Sequence, residues 1–314
     1  MRFLLAADTD IWRFQPHPEV WMIVLSTIAL GFYAVRVVGP KAVAAGTPVA
    51  SRQNRISFGV GLVVLWIAAD WPMHDISEEY LYFVHMIQHL LITFVVPPLL
   101  LMSVPEWLGR LIVSEDGSAG KWIRRLSRPV AAGALFNFAV AVSHITVVVN
   151  ASVESGLFHY LVHLMVFTTA MLMWIPVVSP LPELRSTPPG QMIYLFMMSI
   201  IPTIPAAFLT FARNPIYEAY DHPVRLWGIS VVQDQQAAGV IMKLIGGFYL
   251  WTVIAIIFFT WSSSQEKSSR NMRRVGADGT VTPSLDVSDD GEVLTFEDVQ
   301  EVFETVPPAP AEQP

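Results

Sequence analysis

Long apolar stretches separated by short polar segments occupy the first 262 residues of the chain. A stretch of about 20 apolar residues crosses the hydrocarbon core of a bilayer as one helix. We therefore predict an all-α membrane protein, a bundle of seven transmembrane helices. The predicted spans are 20–38, 56–71, 80–103, 129–149, 157–179, 191–211 and 238–262. Short loops between them favour antiparallel packing of neighbouring helices.

The lysines and arginines outside the spans are unevenly divided between the two sides of the predicted bundle. Thirteen lie in the segments after spans one, three, five and seven, Arg36 lies on the same side at the edge of span one, and four lie on the opposite side. Cytoplasmic loops are enriched in these residues, so we predict an outer N-terminus and a cytoplasmic C-terminus. The predicted divisions are an outer segment at 1–19, a transmembrane domain at 20–262 and an acidic, mostly disordered cytoplasmic tail at 263–314.

Composition agrees with a membrane protein and narrows the chemistry. The chain is 53% hydrophobic and 14% charged, whereas soluble domains average about 25% charged residues. The absence of cysteine excludes disulfides, thiolate metal sites and iron–sulfur clusters. Because no cysteine is present, any metal must be held by other side chains.

The negative charge of the chain is concentrated in its tail. Eleven of the 26 acidic residues follow Ser262, so the net charge of −7 arises mainly there. No nucleic-acid partner is expected. Within the tail, 294–303 is either a short partner-binding helix or a weakly helical acidic segment.

Five histidines lie inside the predicted spans, at similar depth on the predicted outer side. Ionisable side chains within a bilayer are costly and therefore indicate function. Two pairs have the spacing i, i+4, which places both imidazoles on one helix face. Neutral imidazole suits copper, zinc, iron and nickel ions. We predict one buried metal site from His85, His89, His144, His159 and His163.

The other candidate residues lie near the same predicted outer level. Asp234 opens the seventh span, and three roles remain open: a metal ligand, a group that orients a metal-bound imidazole, or a solvated residue in the first helical turn. His17, His74 and His222 are predicted to be exposed loop residues outside the site, although His74 lies in an acidic stretch, 70–79, suited to collecting cations. Prolines at 97, 98, 202 and 205 are predicted to kink two spans, either to shape a cavity or for packing alone.

Several motifs together resemble the CtaG-like family of bacterial cytochrome c oxidase assembly factors, over residues 20–262. The first motif is His85-Met-Ile-Gln-His89-Leu-Leu, followed by Pro97-Pro98-Leu-Leu-Leu. The others are His159-x-x-x-His163 and Asp234-Gln-Gln-x-Ala-Gly239. The resemblance implies a seven-helix protein of the bacterial plasma membrane that matures a haem–copper oxidase by copper delivery or insertion. It also implies functional roles for the histidines and the aspartate of these motifs.

Taken together, these patterns predict a non-enzymatic assembly factor. We expect it to hold copper, with Cu(I) favoured, in the outer leaflet and to pass it to cytochrome c oxidase subunits. The expected partners also include the lipid bilayer and other copper chaperones. Three alternatives remain open: a b-type haem or electron-transfer protein, a copper permease, and a di-iron oxygenase.

Overall fold

A computed structural model describes residues 12–221 and 225–278, with side chains as far as residue 267. The described residues are 80% helical and contain no strand. The α-helices are α1 (Pro18–Tyr33), α2 (Gly39–Ala42), α3 (Arg52–Ala69), α4 (Met73–Glu79), α5 (Tyr82–Leu90), α6 (Val96–Ser103), α7 (Glu106–Ile112), α8 (Ser118–Leu126), α9 (Pro129–Ser143), α10 (Thr146–Glu154), α11 (Gly156–Val178), α12 (Pro188–Ile200), α13 (Thr203–Thr210) and α14 (Val231–Asp278). The π-helical turns are Ala34–Val38 and Leu91–Val95, and the 3-10 turns are Pro182–Leu184, Glu218–Tyr220 and Leu226–Gly228.

Six helical stretches in the described part of the chain are long and apolar enough to cross a membrane. They are Pro18–Ala42, Arg52–Glu79, Tyr82–Ser103, Gly156–Val178, Pro188–Thr210 and Val231–Lys267. A seventh results if α8 and α9, which are bent by 82°, form one span. The predicted all-α membrane protein is confirmed, with six or seven spans. The orientation of the termini stays a prediction.

The fourth span differs from its prediction as one helix over 129–149. Helix α9 ends at Ser143, and α10 begins only at Thr146. The hydroxyl of Ser143 donates to the carbonyl of Val140 over 2.8 Å, and Nδ1 of His144 lies 2.7 Å from the same carbonyl. Such side chains compete with the backbone ladder of a helix. His144 therefore lies at the end of a helix and not within one.

Prolines accompany irregular turns in two other spans. The π-helical turn Leu91–Val95 immediately precedes Pro97 and Pro98, which lack the N–H that a helix interior requires. In the sixth span, α12 ends at Ile200 and α13 begins at Thr203, with Pro202 at the junction. Tyr82–Ser103 therefore stays helical throughout with a π-helical turn near its middle, whereas a two-residue turn at 201–202 interrupts Pro188–Thr210.

The seventh span begins and ends outside its predicted limits of 238–262. Helix α14 begins at Val231, and it continues to Asp278 through residues predicted to start a disordered tail. Within this extension, the hydroxyls of Ser263 and Ser264 donate to carbonyls of the preceding turn, at 2.7 and 2.6 Å, so these polar side chains find partners on the helix itself. The predicted segment at 294–303 lies outside the described residues.

The chain divides into two compact units, Met1–Ile257 and Phe258–Pro314. The predicted division at residues 19 and 262 stays a prediction.

The core of the first unit lies between α6, α9, α11 and α12. Helix α6 packs against α3 and α11, and α11 packs against α9. Trp174 is 1% exposed, and its indole N–H donates to the carbonyl of Thr93 over 2.9 Å. Two apolar spans are largely uncovered by the rest of the protein. Only 6% of the most apolar stretch of Pro18–Ala42 and 11% of that of Val231–Lys267 are buried. Such faces suit contact with lipid.

Ion pairs join the short helices at the end of the bundle where α6 finishes. Arg110 on α7 donates to Glu106 over 2.6 Å and to Glu183 over 3.2 Å. Arg124 on α8 lies 3.6 Å from the same Glu183 oxygen. A hydrogen bond to its own backbone and the charges of these two arginines lower the pKa of Glu183 below its ordinary value of 4.5. The carboxylate thus links α7 and α8 to the turn after α11.

Candidate metal centre

Helix α5, which carries His85 and His89, begins against the side chain of Asp234. Asp234 is fully buried, and its two carboxylate oxygens accept the backbone N–H groups of Tyr82 and Phe83, each over 2.9 Å. The first N–H groups of a helix have no partner within it, so this carboxylate caps α5 from another helix. Asp234 therefore holds the start of α5 in place. Its oxygens do not belong to the set of ligand atoms that lie within 4.8 Å of one another around His85, His89 and His163.

The two glutamines after Asp234 fasten the start of α14 to a neighbouring loop. Gln235 is fully buried and accepts the N–H of Ile216 over 2.8 Å while it donates to the carbonyl of Tyr217 over 2.9 Å. Gln236 donates to the carbonyl of Ala212 over 2.8 Å. These amides satisfy buried backbone groups in an irregular segment. The Asp-Gln-Gln motif thus connects three parts of the chain.

Three of the predicted site residues converge. His85 and His89 on α5 and His163 on α11 each place one ligand nitrogen within 4.8 Å of the other two. Their ring centroids lie 4.5 Å apart for His85–His89, 4.7 Å for His89–His163 and 5.5 Å for His85–His163. Three nitrogens around one ion at about 2.0 Å lie roughly 3.5 Å apart. A shift of about an ångström or less therefore closes this triad on a metal ion.

His144 and His159 border the same cavity without joining the triad. With the triad they line a cavity of about 20 Å³. Nε2 of His159 lies 2.7 Å from Oε1 of Glu78, and the rings of His159 and His163 are 4.3 Å apart. Nδ1 of His144 lies near the carbonyl of Val140, as described above. All five buried histidines thus meet at one cavity, but only three present nitrogens close to one another.

Unpartnered nitrogens in this cavity are the strongest sign of a ligand. Nδ1 of His85 and Nε2 of His144 and His163 are buried and make no hydrogen bond with any described residue. Buried polar atoms normally have partners, so each exception calls for an explanation. The cavity has room for one small ion or water molecule. Neutral imidazole nitrogens suit a transition-metal ion, so the residues fit such an ion.

The structure corrects the prediction that His17 and His74 are exposed loop residues: His17 lies in a loop but is half-buried, and His74 is buried on a helix. His74 lies on α4, is 6% exposed, and places Nε2 3.3 Å from Oε1 of Glu78. The His17 ring packs 4.7 Å from the His74 ring, and its Nε2 lies 3.3 Å from the carboxylate of Asp75. His222 lies outside the described residues. The i, i+4 spacing of His74 and Glu78 was a signal that pointed to a shared helix face.

Gln88, between the two histidines of α5, also went unrecognised in the sequence. It is 2% exposed and donates to the carbonyl of Ala68 over 2.7 Å. Its oxygen accepts the hydroxyl of Ser77 over 3.1 Å, and its nitrogen lies 3.3 Å from Nδ1 of His74. Gln88 therefore fixes α4 against α5 and orients the His74 ring. A polar residue inside an apolar span was the available signal.

A more apolar cavity of about 50 Å³ lies on the far side of the triad. His89 and His144 line it, and so does Lys243. The Lys243 ammonium donates to the hydroxyl of Thr203 over 2.6 Å and to the carbonyl of Ser199 over 3.2 Å. Among the described residues, the triad is the one group of three or more histidine or carboxylate side chains whose ligand atoms all lie within 4.8 Å of one another.

The comparisons with known proteins identify one family. The family model described as "Cytochrome c oxidase caa3 assembly factor (Caa3_CtaG)" matches residues 29–264. No curated protein and no solved structure matches the chain. The matched range contains every residue of the triad and the helices that carry them.

Proposed function

The chain belongs to the family of cytochrome c oxidase caa3 assembly factors, and from this premise we propose that His85, His89 and His163 hold a copper ion for delivery to the oxidase. The family implies association with cytochrome c oxidase at a membrane and suggests a non-catalytic role. The oxidase is a haem–copper enzyme, so its assembly requires copper. The observation that carries the proposal is the convergence of three imidazole nitrogens within 4.8 Å.

The character of the ligands favours Cu(I). The triad consists of neutral imidazoles, and a monovalent ion costs less to bury among neutral ligands than a divalent one. The soft thioether of Met86 lines the same cavity, and thioethers select Cu(I). Met86 is 3% exposed and packs within an apolar cluster. The polarisable sulfur-containing side chain of Met86 therefore lines the cavity beside the triad.

We place this site on the outer side of the bacterial plasma membrane. The support is the distribution of lysine and arginine, which favours a cytoplasmic location for the segments at the other end of the bundle. Copper then arrives from outside, directly or from a copper chaperone, and leaves towards an oxidase subunit on the same side.

The geometry favours an ion over the alternatives. A cavity of about 20 Å³ is far smaller than a porphyrin, and His85 and His89 lie on one helix face, so they do not flank a haem. A permease requires ligands along a path through the whole bundle, and the cavity of about 50 Å³ that adjoins His89 presents the Lys243 ammonium, which repels a cation. A di-iron centre requires ligands for two ions, and the triad brings together only three nitrogens.

Metal analysis of purified protein tests the proposal. We expect wild-type protein loaded with Cu(I) under ascorbate to retain about one equivalent, as one triad binds one ion. His89→Ala and His163→Ala should each lose that ion, and cells that carry them should fail to mature the oxidase. Leu164→Ala is the matched control because Leu164 adjoins His163 on α11 and is 60% exposed. Triad variants that retain copper and support maturation contradict the proposal.

A further inference from the structure

We propose that Glu78, with His159 and His74 on either side of it, is a transient cation contact, here called the loading site, through which the ion reaches the triad. The inference rests on the proposed function, since it concerns the same ion. It assigns a role to a histidine on α4 that the sequence placed outside the site. It also assigns a role to a carboxylate that neither the motifs nor the family description singles out.

The loading site is built around one carboxylate oxygen. Oε1 of Glu78 lies 2.7 Å from Nε2 of His159 and 3.3 Å from Nε2 of His74. The two imidazoles come from different helices, α11 and α4, and each residue is 6% exposed. The Glu78 side chain is 35% exposed. The carboxylate is therefore accessible from outside the protein, and the two imidazoles beside it are buried.

The loading site is continuous with the triad. His159 and His163 lie one turn apart on α11, with ring centroids 4.3 Å apart, and the His159 ring is 5.7 Å from that of His85. His163 is itself a member of the triad. An ion held by His159 and Glu78 therefore reaches the triad by exchanging one ligand at a time. Each step is short enough that the ion keeps at least one protein ligand.

Charge explains why a carboxylate stands at this position. A cation that leaves water for the bundle loses its hydration, and the neutral triad offers no charge to offset that loss. Glu78 supplies a negative charge at the point where the ion first contacts buried imidazoles. More carboxylates flank it: Asp75 lies 3.3 Å from Nε2 of His17, and Glu19 accepts the hydroxyl of Tyr160 over 2.7 Å. Such a cluster raises the local concentration of cations.

The rate of copper uptake separates a loading site from a purely structural ion pair. Transfer of Cu(I) from a coloured bicinchoninate complex is followed anaerobically, with the final stoichiometry measured in the same run. Glu78→Gln keeps the shape of the side chain and removes its charge. We expect it to slow uptake by at least about tenfold, because a carboxylate in contact with a cation attracts it strongly. The final one-ion stoichiometry should stay unchanged.

Glu79→Gln is the matched control, since it makes the same change one residue away on an exposed side chain. It should load at the wild-type rate. His74→Asn is a second test variant, and a melting temperature in detergent verifies that each variant is folded. A folded Glu78→Gln or His74→Asn protein that loads at the wild-type rate overturns the loading site and leaves the triad standing. A wild-type protein that takes up no Cu(I) overturns the proposed function itself.

Discussion

The role of Asp234 can be tested through stability, because the structure and the sequence give this carboxylate different tasks. Its two oxygens accept the N–H groups of Tyr82 and Phe83, each over 2.9 Å, from a fully buried position. Asp234→Asn leaves one oxygen and turns an amide nitrogen towards the other N–H. One buried donor then loses its partner.

The magnitude follows from that count. A buried donor without an acceptor costs about 1–3 kcal/mol. For a unit of 150–250 residues, each kcal/mol lowers the melting temperature by roughly 2–4 °C, so a fall of roughly 2–12 °C is expected. Asp234→Ala removes both acceptors and should cost about twice as much, about 2–6 kcal/mol.

Thermal melts in detergent, followed by circular dichroism, measure the loss of stability, and metal analysis of the folded protein accompanies them. Asp221→Asn is the control because Asp221 is exposed, and it should melt as the wild type does. We expect Asp234→Asn to keep its copper while its melting temperature falls. If it loses copper with an unchanged melting temperature, Asp234 is a metal ligand and the capping argument is refuted.

Two further predictions concern pH and packing. The lowered pKa of Glu183 means that its ionised carboxylate, which accepts a hydrogen bond from its own backbone and pairs with Arg110 and Arg124, stabilises the fold above pH 4.5. This contribution is lost as the pH falls through the lowered pKa. Melts between pH 6 and 3.5, values chosen to bracket the ordinary carboxyl pKa, should therefore show a small acid-side loss. Glu183→Gln should remove that loss, and an identical profile in the variant contradicts the assignment. Gln88→Ala should lower stability by about 1–3 kcal/mol, because the buried carbonyl of Ala68 loses its donor. An unchanged melting temperature contradicts this.

The sequence predicts most of the spans because their signal is local. A bilayer demands about 20 apolar residues, and that requirement is visible in any stretch of chain. The break after Ser143 was missed because it depends on which side chains return to the Val140 carbonyl. Packing around the helix end determines which side chains reach that carbonyl, and the hydropathy of the sequence does not reveal it.

The candidate site was predicted in part for a similar reason. The i, i+4 pairs identify one face of each helix, so His85, His89 and His163 were recognisable before the structure. The capping role of Asp234 depends on residues 151 and 152 positions away. His74 was misplaced because its burial depends on α4 folding back against Gln88. Contacts at such separations are set by the packed helices and not by local pattern.

The shortness of α9 has a consequence for the lipid around the metal centre. Its 15 residues rise about 22 Å, whereas the hydrocarbon core of a bilayer is about 30 Å thick. Hydrophobic mismatch of this kind is relieved when the bilayer thins locally beside the short helix. Headgroups and their water then approach the cavity that His144 lines at the end of α9. Where the bilayer thins in this way, the membrane as well as the protein sets the distance between the candidate metal centre and water.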